Sequence, residues 1–171
     1  ILIATKKHNK PPFLIPTHSN NDDSLPNFVT FREATKNIKN HNSVKFSKKK
    51  LDYFKQIPEG GNWRNLSLDK QKEALGKSFY LPGGRTGYLR RLSYDKPSPT
   101  LLTSPTMNAT SLAHPTEDRP LSVEEYKAIQ QFPECWKIQG SLLNQYKQIG
   151  NAVPVGLSQA IAKLIKKIIN K

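Results

Sequence analysis

The sequence predicts an α+β fold in which an irregular, strand-rich segment precedes a helical C-terminal third. From Phe79 to Thr110, aromatic and β-branched residues alternate with Gly, Pro and Ser, a pattern typical of short strands joined by long turns. After residue 118, helix-capping signals and an apolar stripe with helical spacing replace that pattern. The 171 residues are enough for one domain and too few for two large ones.

The elements of the first half are predicted by apolar runs and caps. The apolar run Ile1–Ala4 predicts the end of a buried strand. The capping box Thr30–Glu33 predicts a helix from about Phe31 to Ile38. A second helix is expected within Ser67–Gly76, between a serine cap and a glycine stop, and the polar stretch 39–50 is expected to be a loop.

The C-terminal third contains stronger helix signals. The capping box Ser122–Glu125 opens a predicted helix to Gln131, and Pro154 fits the first turn of a final helix. Six apolar residues of that final helix share one face: Leu157, Ile161, Leu164, Ile165, Ile168 and Ile169. Because the rest of the sequence offers few elements to cover this face, we expect it to dock on another protein segment.

The charge balance predicts a polyanionic partner, since 27 Lys and Arg oppose 13 Asp and Glu for a net charge of +14. The cluster Lys48–Lys50 is equally compatible with a solvated loop and with a phosphate contact. The sequence contains no run of 18 apolar residues and therefore predicts no membrane span. The single cysteine, Cys135, excludes a disulfide framework, and we expect it to be buried or half-buried. Four scattered histidines do not predict a metal site.

Three groups of residues, at 145–154, at 119–133 and in the segments 60–64, 83–87 and 97–101, together resemble the C-terminal part of a bacterial DNA (cytosine-5) methyltransferase. The stretch 145–154, with Gly-Asn-Ala-Val-Pro at its end, resembles the tenth conserved block of that family, and 119–133 resembles the ninth. The segments Gly60–Arg64, Gly83–Gly87 and Pro97–Leu101 are similar to its target-recognition region.

The resemblance implies a target-recognition lobe at about 10–118 and a C-terminal helical return at 119–171 that completes a Rossmann-like methyltransferase domain. Residues 1–9 would end a catalytic-domain strand, and we interpret the start at Ile1 as a cut inside a longer protein. The implied cofactor is S-adenosyl-L-methionine, the implied partner is double-stranded DNA, and the implied location is the bacterial cytoplasm, at the nucleoid.

The chemical centre of the family is missing from this sequence. No Pro-Cys pair occurs, since Cys135 follows Glu134, and neither a Glu-Asn pair nor a Phe-x-Gly-x-Gly loop is present. The thiolate of the missing cysteine is the nucleophile that activates cytosine. We therefore expect no catalytic residue in this chain and no activity alone. Its expected partner is an N-terminal catalytic portion, in the same enzyme or in a separate subunit.

The resemblance also assigns DNA-binding residues. Thr100, and Thr103 in the same Thr-Leu-Leu-Thr step, would grip a phosphate near a flipped nucleotide; the alternative is an ordinary strand threonine. Arg85 and Thr86 stand where the family carries a residue that inserts into the emptied base stack; the alternative is a plain turn.

The adjacent Arg90 and Arg91 would point to opposite faces of an extended segment. One could reach a guanine edge while the other pairs with a phosphate or with a local acid such as Asp95, and Arg90 is our choice for the base contact. We expect Trp63 to be a hydrophobic plug of the lobe rather than a stacking platform.

For the cofactor, the resemblance points to the Gly-Asn turn. The side-chain amide of Asn151 and the backbone N–H of Ala152 would contact the amino-acid end of S-adenosylmethionine, although Asn151 could instead cap the final helix. Arg119 resembles a structural residue that holds the lobe in register through backbone carbonyls. Two other function classes are a stand-alone basic DNA-binding module and an RNA-binding domain, but no aromatic platform of the latter is visible.

Overall fold

The computed structural model describes Ile3, Lys6 and residues 13–108 and 110–169, and the predicted strand end at 1–4 lies outside these apart from Ile3. The described residues form two compact units, one of 13–28 with 153–169 and one of 29–152. Within this described part, no helix is both long and apolar enough to cross a bilayer.

The unit 29–152 contains five short helices and one pair of strands. The helices are α1 (Phe31–Thr35), α2 (Lys48–Phe54), α3 (Leu68–Leu75), α4 (Val123–Ile129) and α5 (Leu142–Asn151), with 3₁₀ turns at Trp63–Asn65 and Gly76–Tyr80. The strands are β1 (Arg90–Arg91) and β2 (Leu112–Ala113).

The helices that capping residues predict are present, although α1 ends at Thr35 rather than near Ile38 and α4 ends at Ile129 rather than at Gln131. Thr30 caps α1 and Ser122 caps α4, each with a reciprocal capping box, and α3 stops at Gly76, whose φ is +53°. Helices α2 and α5 were not predicted. The first begins inside the lysine cluster, where the Ser47 hydroxyl accepts the Lys50 N–H at 3.4 Å.

The expectation of a strand-rich lobe is wrong for the described residues, which contain only β1 and β2. These two strands run parallel, with Arg90 opposite Leu112 and Arg91 opposite Ala113. A physical reason lies in the prolines: four of them, at 82, 97, 99 and 105, fall within the segment from 79 to 110. A proline has no N–H to donate to a strand ladder, so longer pairing is interrupted.

Two clusters of buried side chains form the interior of this unit. The first joins α1, α4 and α5: Phe31, Leu92, Leu101, Leu112, Leu121, Val123, Tyr126, Tyr146 and Ile149. The second joins α2 and α3: Tyr53, Phe54, Ile57, Trp63, Leu66, Leu75, Leu89 and Ala113. The strand pair contributes to both, because Leu112 belongs to the first cluster and Ala113 to the second.

A buried arginine on β1 connects the segments around the second cluster. Arg91 is 4% exposed. Its guanidinium donates to four backbone carbonyls, at 2.6 Å (Phe54), 2.8 Å (Ile57), 3.0 Å (His114) and 3.0 Å (Glu117). A fifth bond, of 2.6 Å, goes to the carboxylate of Asp118. The end of α2 and the loop after β2 are therefore held to one side chain.

The other unit is dominated by α6 (Val155–Ile169). The sequence predicts that the apolar face of this helix is uncovered, but Leu164 and Ile168 on that face are buried. Leu157, Ile165 and Ile169 remain 42%, 40% and 68% exposed. Leu14 and Ile15 line a cavity of about 150 Å³ together with residues of α6, among them Leu164.

We predict that Arg91→Met lowers the free energy of unfolding by about 3–5 kcal/mol, because it leaves buried carbonyls and the Asp118 carboxylate without a donor. The matched variant Arg90→Met removes the same chemical group from the neighbouring residue, whose side chain makes no hydrogen bond within the described chain. It is expected to change stability by less than about 0.5 kcal/mol. Urea unfolding followed by circular dichroism measures both; equal losses would contradict the role assigned to Arg91.

Candidate functional site

The segment 100–106 lies beside the strand pair and receives a cation from α2. The N–H of Leu112, on β2, donates to the Pro105 carbonyl at 2.9 Å, and Arg90 pairs with Leu112 from β1. The ammonium of Lys50 donates to the Thr106 carbonyl at 2.6 Å, and burial lowers the pKa of this ammonium. The structure thus connects β2, which pairs with Arg90, and Lys50 of the lysine cluster to Pro105 and Thr106, which follow the Thr-Leu-Leu-Thr step.

The two threonines of this segment differ in exposure. Thr100 is exposed, and its hydroxyl has no hydrogen-bond partner among the described residues. Leu101, which follows it, is 4% exposed and packs in the first cluster. Thr103 is half-buried, with Oγ1 at 3.9 Å from the sulfur of Met107. A buried leucine therefore anchors a segment that presents a free hydroxyl at Thr100.

The two adjacent arginines face opposite sides of β1, as the sequence predicts. Only Arg90 is available for DNA, because Arg91 binds protein groups. Arg91 points inward and its five bonds go to protein groups, so its assignment to DNA is wrong. Its acidic partner is Asp118, while Asp95 pairs with Arg32 at 3.0 Å. Arg90 is half-buried and its guanidinium has no polar partner in the described chain. Arg90 remains the candidate for a nucleic-acid contact.

Arg85 lies in a loop that is fixed by hydrogen bonds. Its φ is +45°, its carbonyl accepts the Trp63 indole N–H at 3.0 Å, and its guanidinium donates to the carbonyls of Leu81 and Pro82. To insert into a base stack, this side chain would have to leave those carbonyls. Thr86, beside it, is exposed. Trp63 is 6% exposed in the second cluster, which confirms its interpretation as a plug.

The Gly-Asn pair is the last turn of α5 and not a separate tight turn. Asn151 is exposed, and no hydrogen bond to its amide occurs within the described residues. The N–H of Ala152 donates to the Ile149 carbonyl at 3.1 Å, and the Ala152 carbonyl accepts from the Gln130 amide at 3.3 Å. The expectation that the Ala152 N–H binds a cofactor is therefore wrong, because this donor closes the helix end.

A backbone contact joins α5 to the threonine segment, which is the Thr-Leu-Leu-Thr step at residues 100–103. A Cβ built on Gly150 would lie 2.3 Å from the Leu102 carbonyl oxygen and 2.7 Å from the Thr103 nitrogen. No side chain fits at such distances, so the helix backbone rests on the Leu102–Thr103 peptide. The residue assigned to the cofactor, Asn151, thus follows directly after a contact with the segment assigned to DNA.

Arg119 is bound mainly by carboxylates. Its guanidinium makes two bonds to Glu125, at 2.8 and 2.9 Å, and two to Glu117, at 2.9 and 3.2 Å. One bond, of 3.1 Å, goes to a backbone carbonyl, that of Pro120. Burial alone lowers the pKa of Arg119, but its hydrogen bonds with Glu125 and Glu117 raise it above the ordinary arginine value. Bonding to several backbone carbonyls, expected of Arg119, is what Arg91 does.

The sequence predicts Glu125 only as the capping-box acid of α4 and predicts no site role for Gln130 or Gly150. Glu125 is 1% exposed and serves both as the capping-box acid of α4 and as the carboxylate of Arg119. Gln130 is 5% exposed and closes the end of α5. A glycine inside a helical pattern often marks a packing contact, and that signal could have indicated Gly150. Cys135 is exposed, contrary to expectation, and no metal-binding group of His, Cys, Asp and Glu occurs in the described part.

The structure is that of a basic α+β protein. The side chains of Thr100, Arg90 and Asn151 have no hydrogen-bond partner among the described residues, and they are held by an interior whose charged groups are hydrogen-bonded. The family model of the C-5 cytosine-specific DNA methylases matches residues 1–167. The chain therefore belongs to the C-5 cytosine-specific DNA methylase family.

Among curated relatives, this chain is 50% identical to the type II methyltransferase M.Eco47II of Escherichia coli over 127 residues, which are 74% of this chain and 30% of that protein. It is 44% identical to M.Sau96I of Staphylococcus aureus over 74% of this chain and 29% of that protein. It thus spans about 30% of the length of these relatives. With M.AquIB of Picosynechococcus it shares 30% identity over 76% of this chain and 88% of that protein.

We predict an acid-dependent loss of stability that His114 controls. Burial, and then the positive charge of Arg119, lower the pKa of His114 below 6.5, although Glu125 and Glu117 oppose this and His41 adds to it. Its Nδ1 accepts the Glu117 N–H at 3.1 Å, a bond that protonation at that nitrogen removes. The unfolded chain binds this proton near pH 6.5 and the folded chain does not. The free energy of unfolding is therefore level above pH 6.5 and falls as the pH drops below it.

Urea unfolding at pH 7.5, 6.5 and 5.5 measures this dependence. His114→Gln is expected to flatten it, while His18→Gln, at an exposed histidine, is expected to leave it unchanged. Glu117 does not account for the effect, since Arg119 lowers its pKa below 4.5, outside this range. An unchanged pH dependence in the His114 variant would contradict the prediction.

Proposed function

We propose that this chain supplies DNA recognition and one wall of the cofactor pocket in a DNA (cytosine-5) methyltransferase whose catalytic residues lie in another portion. The observation that carries the proposal is the family match over residues 1–167 in a sequence without the Pro-Cys and Glu-Asn pairs. The type II relatives favour a modification role in a restriction–modification system.

Two side chains and the net charge of this chain support binding to DNA. The hydroxyl of Thr100 is exposed and unbonded, and a neutral hydroxyl suits a phosphate oxygen. Arg90 offers a planar guanidinium with no competing partner in the described chain, which suits the O6 and N7 atoms of guanine. The net charge of +14 attracts the duplex. These contacts would offset the few kcal/mol that extruding a cytosine costs.

The residues at the end of α5 fit part of a cofactor site. The unbonded amide of Asn151 offers two N–H donors and one acceptor oxygen, which suits the amino-acid end of S-adenosylmethionine. When bound, S-adenosylmethionine supplies the methyl group. Asn151 would orient it, while Gln130 and the Ala152 N–H hold the helix end in place. The remaining walls of the pocket belong to the catalytic portion.

The exposed side of α6 supports a protein partner. Leu157, Ile165 and Ile169 are substantially exposed on one face, which would bury apolar area against the catalytic portion. The long relatives contain about three times the length aligned here, which allows both portions in one chain. The relative M.AquIB is aligned over 88% of its length, so a type II methyltransferase of similar length to this chain exists. A separate subunit is therefore as well supported as a continuous chain.

A stand-alone DNA-binding module is the second candidate. It is favoured by the unit 29–152, which contains two buried clusters of its own. Under that function, the exposed apolar face of α6 and the free amide of Asn151 would have no role. Mixing the chain with the catalytic portion of a relative and measuring methylation of duplex DNA separates the two functions.

We predict that the isolated chain binds duplex DNA with a steep salt dependence. Each phosphate contact contributes a slope of about −0.9 in log K against log salt, so four contacts would lower the affinity about a hundredfold between about 50 and 200 mM salt. Fluorescence anisotropy with a labelled duplex measures this. An affinity that does not change with salt would contradict binding through phosphates.

Arg90→Met is expected to weaken DNA binding by about 1–3 kcal/mol, the loss typical of a bidentate base contact. Arg32→Met is the matched control, because the Arg32 guanidinium is already paired with Asp95 at 3.0 Å. The control is expected to change the DNA affinity less than about twofold, as screened surface pairs contribute little. Equal effects of the two variants would remove the specific role of Arg90.

We predict that the double variant Leu157→Asp and Ile165→Asp abolishes methylation reconstituted with the catalytic portion. Each side chain gains roughly 1.5–3 kcal/mol on full burial, which an aspartate forfeits. Lys166→Asp is the control, since it places an acid at an exposed position off the apolar stripe. Full activity of the double variant, or equal loss in the control, would show that this face is not the docking surface.

A further inference from the structure

The contact beneath Gly150 is closer than the one at Gly61, where a built Cβ would lie 2.8 Å from its nearest atom. A Cβ at this position would meet three atoms of one peptide group: the Leu102 oxygen at 2.3 Å, the Leu102 carbon at 2.5 Å and the Thr103 nitrogen at 2.7 Å. All three are backbone atoms, which cannot rotate away as a flexible side chain can. Any residue other than glycine must therefore displace either α5 or the 102–103 peptide.

Both sides of this contact are anchored in the same cluster of buried side chains. Ile149, directly before Gly150, is fully buried, and Leu101, directly before Leu102, is 4% exposed. Because the two anchors share one packed core, the displacement cannot be absorbed by moving either segment freely. It is transmitted to the residues that flank the contact.

Those flanking residues are the ones assigned to two different ligands. Thr100 and Thr103 lie on one side of the peptide contact, and Asn151 follows Gly150 on the other. The buried Gln130 fixes the same helix end, since its amide donates to the carbonyls of Ile149 at 3.2 Å and Ala152 at 3.3 Å. One backbone contact thus sets the separation between the threonine segment and the Asn151 amide.

We propose that Gly150 is a positioning residue that sets the spacing between the DNA-binding threonine segment and the cofactor-binding end of α5. Gly150 itself touches neither ligand. The inference rests on the proposed function, because it concerns the ligands assigned there to Thr100 and Asn151. It extends that function by predicting that a single methyl group, on a residue that binds neither ligand, disturbs both binding steps together.

Gly150→Ala is the direct test, and Gly76→Ala is its matched control. A real Cβ does not approach other atoms within 3.0 Å, so the alanine at 150 must shift its surroundings by at least about 0.7 Å. Gly76 has open space around its Cβ position, but its φ of +53° strains an alanine. The control therefore destabilises the chain without a clash and without contacting the Leu102–Thr103 peptide. It separates a loss of stability from a loss of position.

Two affinities are measured at a temperature at which all variants are folded by circular dichroism. The first is the Kd of the chain for duplex DNA, and the second is the KM for S-adenosylmethionine after reconstitution with the catalytic portion. Gly150→Ala is expected to raise both by about tenfold or more, since displacements near 1 Å have effects of that size. Gly76→Ala is expected to change each less than about twofold, because its strain is confined to the α3 stop.

The variant Gln130→Met supplies an independent test that involves no steric clash. It removes the two bonds at the end of α5 and leaves the Gly150 contact in place, so it is expected to raise the KM for the cofactor and leave the Kd for DNA unchanged. If Gly150→Ala behaves like Gly76→Ala in both affinities, the positioning role is overturned. The same conclusion follows if Gly150→Ala changes only one affinity.

Failure of the proposed function gives a different pattern. Thr100→Ala is expected to weaken DNA binding alone, and Asn151→Ala is expected to raise the cofactor KM alone. If neither substitution has an effect, the ligand assignments fail and the positioning role fails with them. If both have their expected effects while Gly150→Ala has none, the proposed function stands and only the role of Gly150 is refuted.

Discussion

The arrangement of the unit 29–152 depends on the hydrogen bonds of Arg91. Parallel strands of two residues bury too little surface to be stable alone, and short helices are marginal without tertiary packing. One guanidinium provides donors in a fixed planar fork and here satisfies carbonyls at the end of α2 and in the loop after β2. It thereby replaces the ladder of backbone bonds that a larger sheet would supply. Long irregular loops can then be well ordered without regular secondary structure.

The polar groups of this unit fall into two sets with different physical states. Glu125, Arg119 and Arg91 are buried or nearly so, and each is fully bonded, as the energy of a buried charge requires. The side chains of Thr100 and Asn151 are exposed and have no partner within the described residues. A rigid, satisfied interior holds free groups at fixed positions, which is the arrangement that a ligand site needs. This contrast identifies the candidate site better than charge alone does, because exposed lysines carry positive charge at many other positions of the chain.

The sequence predicts local features of this protein well and its tertiary bonds poorly. Capping boxes at Thr30 and Ser122 identify α1 and α4, because the signal lies within four consecutive residues. Arg91 could not be separated from Arg90 in the same way. Period-2 alternation places them on opposite faces, but which face is inside depends on Phe54, Ile57 and Asp118, which are distant in sequence. The donor at Ala152 is misassigned for a related reason: the Gly-Asn pair predicts a tight turn, whereas it lies in the last turn of α5.

The family resemblance and the structure give different information about the end of α5, where Asn151 lies. The resemblance draws attention to the Gly-Asn pair but gives no reason for the glycine. The structure gives that reason, because only a residue without a side chain lets α5 rest on the Leu102–Thr103 peptide. The upstream part of the same helix supplies Tyr146 and Ile149 to the first cluster, so its exposed end is fixed by its buried part. The same helix therefore packs in the core and presents Asn151. A change in its packing alters both the stability of the unit and the position of the Asn151 amide.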